Sequence, residues 1–178
     1  MIEKIVVAVE KLSKWSGKTC SWLVLVMLAA MGYEVMARYV FSSPTIWAHE
    51  LTTLLYGGYC LLVGAYTYLN DEHVRMDIVY NRFSRRTKAK LDFFTGLLTL
   101  GFLDVFLFVM AKQTVLSWAA LEYSTYSPWE PPIYPFKAVM VVATLLLLLQ
   151  HIVWLTRNFA VMLNKAGFLT EAPIKEEF

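Results

Sequence analysis

Between residues 51 and 69 the chain carries no charged side chain, although Glu50 stands just before this stretch and Asp71 and Glu72 follow soon after it. At a helical rise of about 1.5 Å per residue, such a stretch reaches roughly the 30 Å hydrocarbon core of a bilayer. Three more apolar runs of similar length lie near 21–41, 93–111 and 136–155. The composition agrees, since 58% of the 178 residues are hydrophobic, against about 45–50% in an ordinary soluble domain. The sequence predicts an all-α integral membrane protein forming a single domain over 1–178. Its four transmembrane helices are expected near 21–41, 48–69, 93–111 and 136–155.

The connecting segments predict further elements. Residues 1–18 put Ile2, Ile5, Val6, Val9 and Leu12 on one helical face and Lys4, Lys11 and Lys14 on the other, as in an amphipathic helix lying in the membrane interface. A signal peptide is the competing reading. The long leader, and the absence of a clean small-x-small site before 41, favour an uncleaved first span. Ser42, Ser43, Pro44 and Thr45 make a tight turn, with Ser43 as N-cap and Pro44 opening the second helix. Residues 70–90 are polar and basic and predict a second interfacial helix, with Arg82, Arg85, Arg86, Lys88 and Lys90 toward lipid headgroups. The 123–137 connector, rich in proline and aromatic residues, suits a membrane interface, and 156–178 is a mostly polar tail.

Orientation follows from the basic residues. Lys4, Lys11, Lys14 and Lys18, six more from Arg75 to Lys90, and Arg157, Lys165 and Lys175 all fall on one side of a four-span chain. Only Arg38, Lys112 and Lys137 fall on the other. The excess of Lys and Arg marks the cytoplasmic side, so both termini are expected there.

Within the second span Thr53, Gly57, Cys60, Gly64 and Thr67 recur at intervals of four, three, four and three, which sets them on one face. Tyr56, Tyr59, Val63 and Tyr66 form a bulky stripe beside it. Helices in lipid associate by close backbone approach over small residues. The face serves either this chain's own helices or another subunit, and the sequence leaves both open. Glu34 and Arg38, one turn apart, and Asp104 are charges within spans, and such charges normally face protein or a water-filled cavity. They are expected to form a neutralised structural network rather than a proton route.

Reaction chemistry is missing from the pattern. There is no Gly-rich phosphate loop, HExxH, GxSxG or cysteine–histidine metal spacing. The two cysteines, Cys20 and Cys60, lie at different depths and read as packing residues. A haem would need paired histidines at one depth, and only His73 and His151 approach that. The chain has no internal repeat or broken pair of spans of the kind that builds a self-sufficient transporter. No cofactor, metal or enzyme activity is expected. A net charge of +2 gives no reason to expect nucleic acid as a partner. A membrane cytochrome or enzyme subunit, and a small autonomous transporter, stand as the alternatives.

A family resemblance rests on particular residues. Arg38, Tyr39 and Phe41, then Trp47 and Glu50, then His73, Arg75 and Asp77 are similar to the small integral membrane subunit of tripartite ATP-independent periplasmic (TRAP) transporters. Pro128 and Trp129, then Pro135 and Lys137, and Leu149-Gln150 in the fourth span also resemble it. His49 stands where the family often has an acid, and Glu72 where a glycine is common. The resemblance implies a bacterial inner-membrane complex for secondary active transport by sodium-coupled symport. Its expected partners are a large permease subunit, a periplasmic substrate-binding protein that delivers an organic acid, and membrane lipids. In that complex this chain would be a scaffold.

Overall fold

The computed structural model describes residues 2–70, 83 and 85–162. Among these the elements are α1 (Ile2–Tyr39), α2 (Ala48–Leu69), α3 (Arg85–Ala120) and α4 (Tyr134–Met162). Val6–Tyr39, Lys90–Ala120 and Tyr134–Ala160 are each long and apolar enough to cross a membrane. The protein is an all-α membrane protein. α2, with 22 residues, is not among those three. Its glycines, threonines and tyrosines occupy places that the other helices give to aliphatic side chains.

Helix boundaries differ from the sequence reading in several places, and the third and fourth helices run on to Ala120 and Met162, past the expected 111 and 155. The expected interfacial helix at 1–18 runs without a break into the first span. No proline interrupts it, and at 38 residues α1 is about 57 Å long, well past the hydrocarbon core, so its lysine-bearing end projects beyond the apolar layer. The basic stretch 85–90 is likewise the first part of α3 rather than a separate element, while 71–82 lies outside the described residues. Ser43 and Pro44 sit in the turn, and α2 begins at Ala48 with Trp47 at its N-cap and no side-chain cap. The cause is local: the amide and hydroxyl of Thr45 are both bound by Glu34, which holds the turn open for several residues.

The turns at this end have their own stops. Ser42 takes φ 50, and the amides of Val40 and Phe41 both reach Met36 O. α3 ends at Leu121, φ 47, where the Glu122 amide reaches back to Ser117 O at 3.0 Å. The loop from α3 to α4 is closed by an antiparallel bridge between Tyr123 and Pro132 and by Ser124 N to Pro131 O at 2.9 Å. Pro135 then falls in the first turn of α4, where its missing N–H has no helical acceptor to leave empty.

The helices pack as a row. α1 lies along α2, α2 along α4, and α4 along α3, with a smaller contact between α1 and α4. α2 and α4 are the inner members, and α1 and α3 are flanks. Packing is by small residues, as expected without a hydrophobic drive between helices. A Cβ on Gly17 would collide with the base of the Tyr66 ring, so α1 and α2 meet at a distance only glycine permits. A Cβ on Gly96 would stand 2.7 Å from Leu155 Cδ1, the equivalent close approach between α3 and α4.

Candidate subunit surface and its polar anchors

At the end where α1 turns into α2, Glu34 collects donors from both elements. One carboxylate oxygen accepts from Arg38 Nε at 2.8 Å and from its Nη2. The other accepts from the Thr45 amide at 2.9 Å and from its hydroxyl. Glu34 is buried while the Arg38 side chain is 51% exposed. Trp47 stacks on Tyr33 with ring centroids 5.9 Å apart. The second connection is tied to the same end, because the Ser127 hydroxyl donates to buried Glu50 at the start of α2. Lys137 and Glu122 close the base of that loop at 2.5 Å, and the bonded ammonium holds the Glu122 carboxyl below its ordinary range. Trp118 meets Tyr134 edge-on at 4.7 Å.

Residues singled out from the sequence thus divide. Arg38, Trp47, Glu50 and Lys137 are brought together as the pins of one end. Tyr39, Phe41 and Pro128 remain uncovered there. Asp104 does not join Glu34 and Arg38. It is exposed on α3, on the far side of the row from α1, and no hydrogen bond or ion pair to it occurs among the described residues. His73, Arg75, Asp77 and Arg82 lie outside the described residues, as do the side chains of Arg85 and Arg86; Lys90 is exposed.

The small-residue face of α2 is shared. Gly57 lies over Met140, and Gly64 lies over Leu147 at 3.3 Å from a built Cβ, so these two pack on α4. Thr53 and Cys60 are exposed, which corrects the reading of Cys60 as a packing residue; Cys20 is buried. The buried side of α2 is instead Glu50, Gly58, Ala65, Tyr68 and Leu69. Tyr56, from the bulky stripe, is exposed.

Sequence reasoning missed a polar seam at the opposite end, between α1 and α4. Glu10 pairs with Arg157 at 2.5 Å, with side chains 8% and 16% exposed. The Ser13 hydroxyl lies 2.9 Å from Val9 O and 3.2 Å from Gln150 Oε1. His151 is fully buried and lies 2.9 Å from Gly96 O through Nε2; since a carbonyl only accepts, Nε2 carries the proton. Its ring sits between Trp154 and the edge of Tyr68. That engagement places Nε2 on a backbone carbonyl rather than free to ligate a haem iron. His49 is exposed at the other end of the row. The signal for the seam was present as Gln150-His151 within an aliphatic run. It was also present in the period of Val6, Val9, Ser13, Ser16 and Cys20, which are buried in the first half of α1 together with Glu10, whereas Leu12 is exposed.

The arrangement is a set of fixed helices pinned at both ends, with wide apolar flanks. The family model described as tripartite ATP-independent periplasmic transporters, DctQ component, matches residues 21–161. The chain is also similar to the sialic acid TRAP transporter permease protein SiaT of Haemophilus influenzae (strain 86-028NP), 31% identical over 101 residues. That match covers 57% of this chain and 16% of the relative, so the chain spans only a small part of that protein's length.

Proposed function

The chain belongs to the DctQ component family of tripartite ATP-independent periplasmic transporters, and on that premise we propose that it is the small membrane subunit of such a transporter, a scaffold for the large permease subunit. The observation that carries this reading is the open row. Among the described residues α1 and α3 are each covered on one side only, and both bear long series of uncovered aliphatic and aromatic side chains. A row pinned by Glu34–Arg38–Thr45, Glu50–Ser127 and Glu10–Arg157 resists deformation. It offers flat surface rather than a midplane cavity of broken helices. Transport then resides in the large subunit, driven by a sodium gradient and fed by a periplasmic binding protein with an organic acid. Most of the SiaT relative lies outside the match, consistent with a large subunit built on other sequence.

In this reading the protein sits in the bacterial inner membrane with both termini cytoplasmic. α2 crosses as the inner helix between α1 and α4. The basic 82–90 stretch rests on anionic headgroups, and the outer edge of α2 at Thr53 and Cys60 joins the surface offered to the partner. Glu34 and Arg38 are structural pins, since both carboxylate oxygens are already occupied. Liposomes containing this chain alone, the large subunit alone, or both decide the matter, each with binding protein and an inward sodium gradient. Accumulation by the pair only is expected. Uptake by this chain alone would refute the scaffold role, and full uptake by the large subunit alone would make the chain dispensable.

A further inference from the structure

α3 is the end of the row, and its outward face is a regular seam. Phe94, Leu98, Gly101, Val105, Phe108, Lys112 and Val115 follow at intervals of three or four, with Lys112 toward the end of the span. Their side chains are among the least covered in the molecule: Leu98 is 78% and Phe108 72% exposed. The opposite face, with Asp92, Gly96, Leu103, Thr114 and Ser117, is the one buried. Lipid alone would explain an apolar outer face, but Asp104 interrupts it. The span is Lys90–Ala120, so Asp104 lies at its middle. Its helical neighbours at three and four residues are Leu100, Gly101, Leu107 and Phe108, none of them a donor. Lys112 is eight residues on, about 12 Å along the axis and outside i,i+4 reach. A carboxyl at the centre of a bilayer is costly unless protein or water meets it. Gly101, one turn away, has open space where a Cβ would stand, so it does not serve packing within this chain. It leaves room for another backbone to come close.

We propose that the Asp104 face of α3 docks a transmembrane helix of the large permease subunit that carries an arginine or lysine at mid-membrane depth. This rests on the reading of the chain as a subunit of that complex. Charge complementarity names the occupant: a carboxylate with no partner among the described residues, set in a knob-and-gap seam, calls for a basic side chain on the opposing helix. A second copy of this chain offers no such group, since the middle of α3 has Asp104 as its only charge.

The test co-expresses the tagged full chain with the large permease subunit and measures the amount of that subunit recovered with it. Asp104→Leu and Asp104→Asn are expected to reduce recovery about tenfold or more, as loss of one member of a desolvated pair does, while Asp104→Glu retains it. Because Asp104 is exposed and no hydrogen bond or ion pair to it occurs among the described residues, each variant alone is expected to keep the thermal stability of the parent. A photo-cross-linking amino acid in place of Phe108, in an otherwise unchanged chain, is expected to form an adduct with the permease subunit. Unchanged recovery with Asp104→Leu, or with Asp104→Asn, overturns the basic partner. An adduct with a second copy, or no protein adduct, overturns the docking face. If the unaltered chain assembles and Phe108 forms no adduct, this inference fails alone. If the unaltered chain does not assemble, the subunit reading fails and takes this inference with it.

Discussion

Glu10 and Arg157 tie the start of α1 to the end of α4, and both are largely withdrawn from solvent. Breaking a buried pair by removing one partner leaves the other charge uncompensated, at a cost of about 3–5 kcal/mol, whereas replacing both by apolar side chains is often neutral. Glu10→Ala is therefore expected to lower the melting temperature of the purified chain sharply, and Glu10→Met with Arg157→Met to restore most of it. A double variant as unstable as the single one would show that the pair acts through some other contact. The Glu34 site ranks differently. Arg38 is half exposed, so its attraction to Glu34 is screened, while the two bonds from Thr45 come from the turn itself. Thr45→Val keeps the backbone bond and removes the hydroxyl one at the buried carboxylate, and it should still destabilise more than Arg38→Ala in the same melting assay. The Glu34–Arg38 pair was legible in the sequence because spacing alone implies it. Thr45 was not, because nothing in a sequence says which loop amide will face a carboxylate eleven residues back.

At the scale of elements, spans were legible and faces were less so. Apolar length set the second helix near 48–69, the bounds α2 takes, although the start expected at Ser43 and Pro44 lies in the turn. The small-residue period located a face, of which Gly57 and Gly64 lie against α4 while Thr53 and Cys60 are exposed. The buried side of a helix depends on which neighbours arrive, and here α4 meets α2 at Gly57, Gly64 and Tyr68 while α1 meets it at Tyr66. Gly17 records the α1–α2 approach most directly. Gly17→Ala puts a methyl into the base of the Tyr66 ring, which cannot swing aside as a flexible chain end can. Such overpacking costs about 1–3 kcal/mol. Gly32→Ala, with nothing within 4 Å of its Cβ, is the matched control and should be neutral. Equal melting temperatures for the two alanine variants would contradict the packing. The α3–α4 loop adds a pH dependence. The Glu122 carboxyl titrates below its ordinary range because Lys137 is bonded to it. A depressed carboxylate pKa stabilises above its unfolded value, and that contribution is lost as pH falls through the folded value. The protection factor of the Ser124 amide against hydrogen exchange should thus fall in acid, below the ordinary glutamate range, and Lys137→Met should remove that acid step.

For the molecule as a whole, the row joins two questions that the sequence treats separately: which side faces the cytoplasm, and which surfaces are free for a partner. The Glu10–Arg157 seam puts the start of α1 and the end of α4 at one end, and the Glu50–Ser127 bond puts both short connections at the other. Topology therefore reduces to one choice, since fixing either end fixes both. Lys and Arg make that choice: Lys4, Lys11, Lys14, Lys18, Lys88, Lys90 and Arg157 are at or near the first end. The prediction is that the first end is cytoplasmic and the 121–133 loop is periplasmic. In a chain with Cys20 and Cys60 replaced by alanine, Tyr126→Cys and Thr87→Cys report the two ends. Tyr126 suits the purpose because it is 79% exposed and its side chain holds nothing in place. An impermeant thiol reagent applied to intact cells with a permeabilised outer membrane should label the first variant and leave the second unlabelled until the inner membrane is opened. Labelling of Thr87→Cys alone would invert the orientation. Labelling of both in sealed cells would break the link between the two ends, and with it the claim that α1 to α4 stand as one row across the membrane.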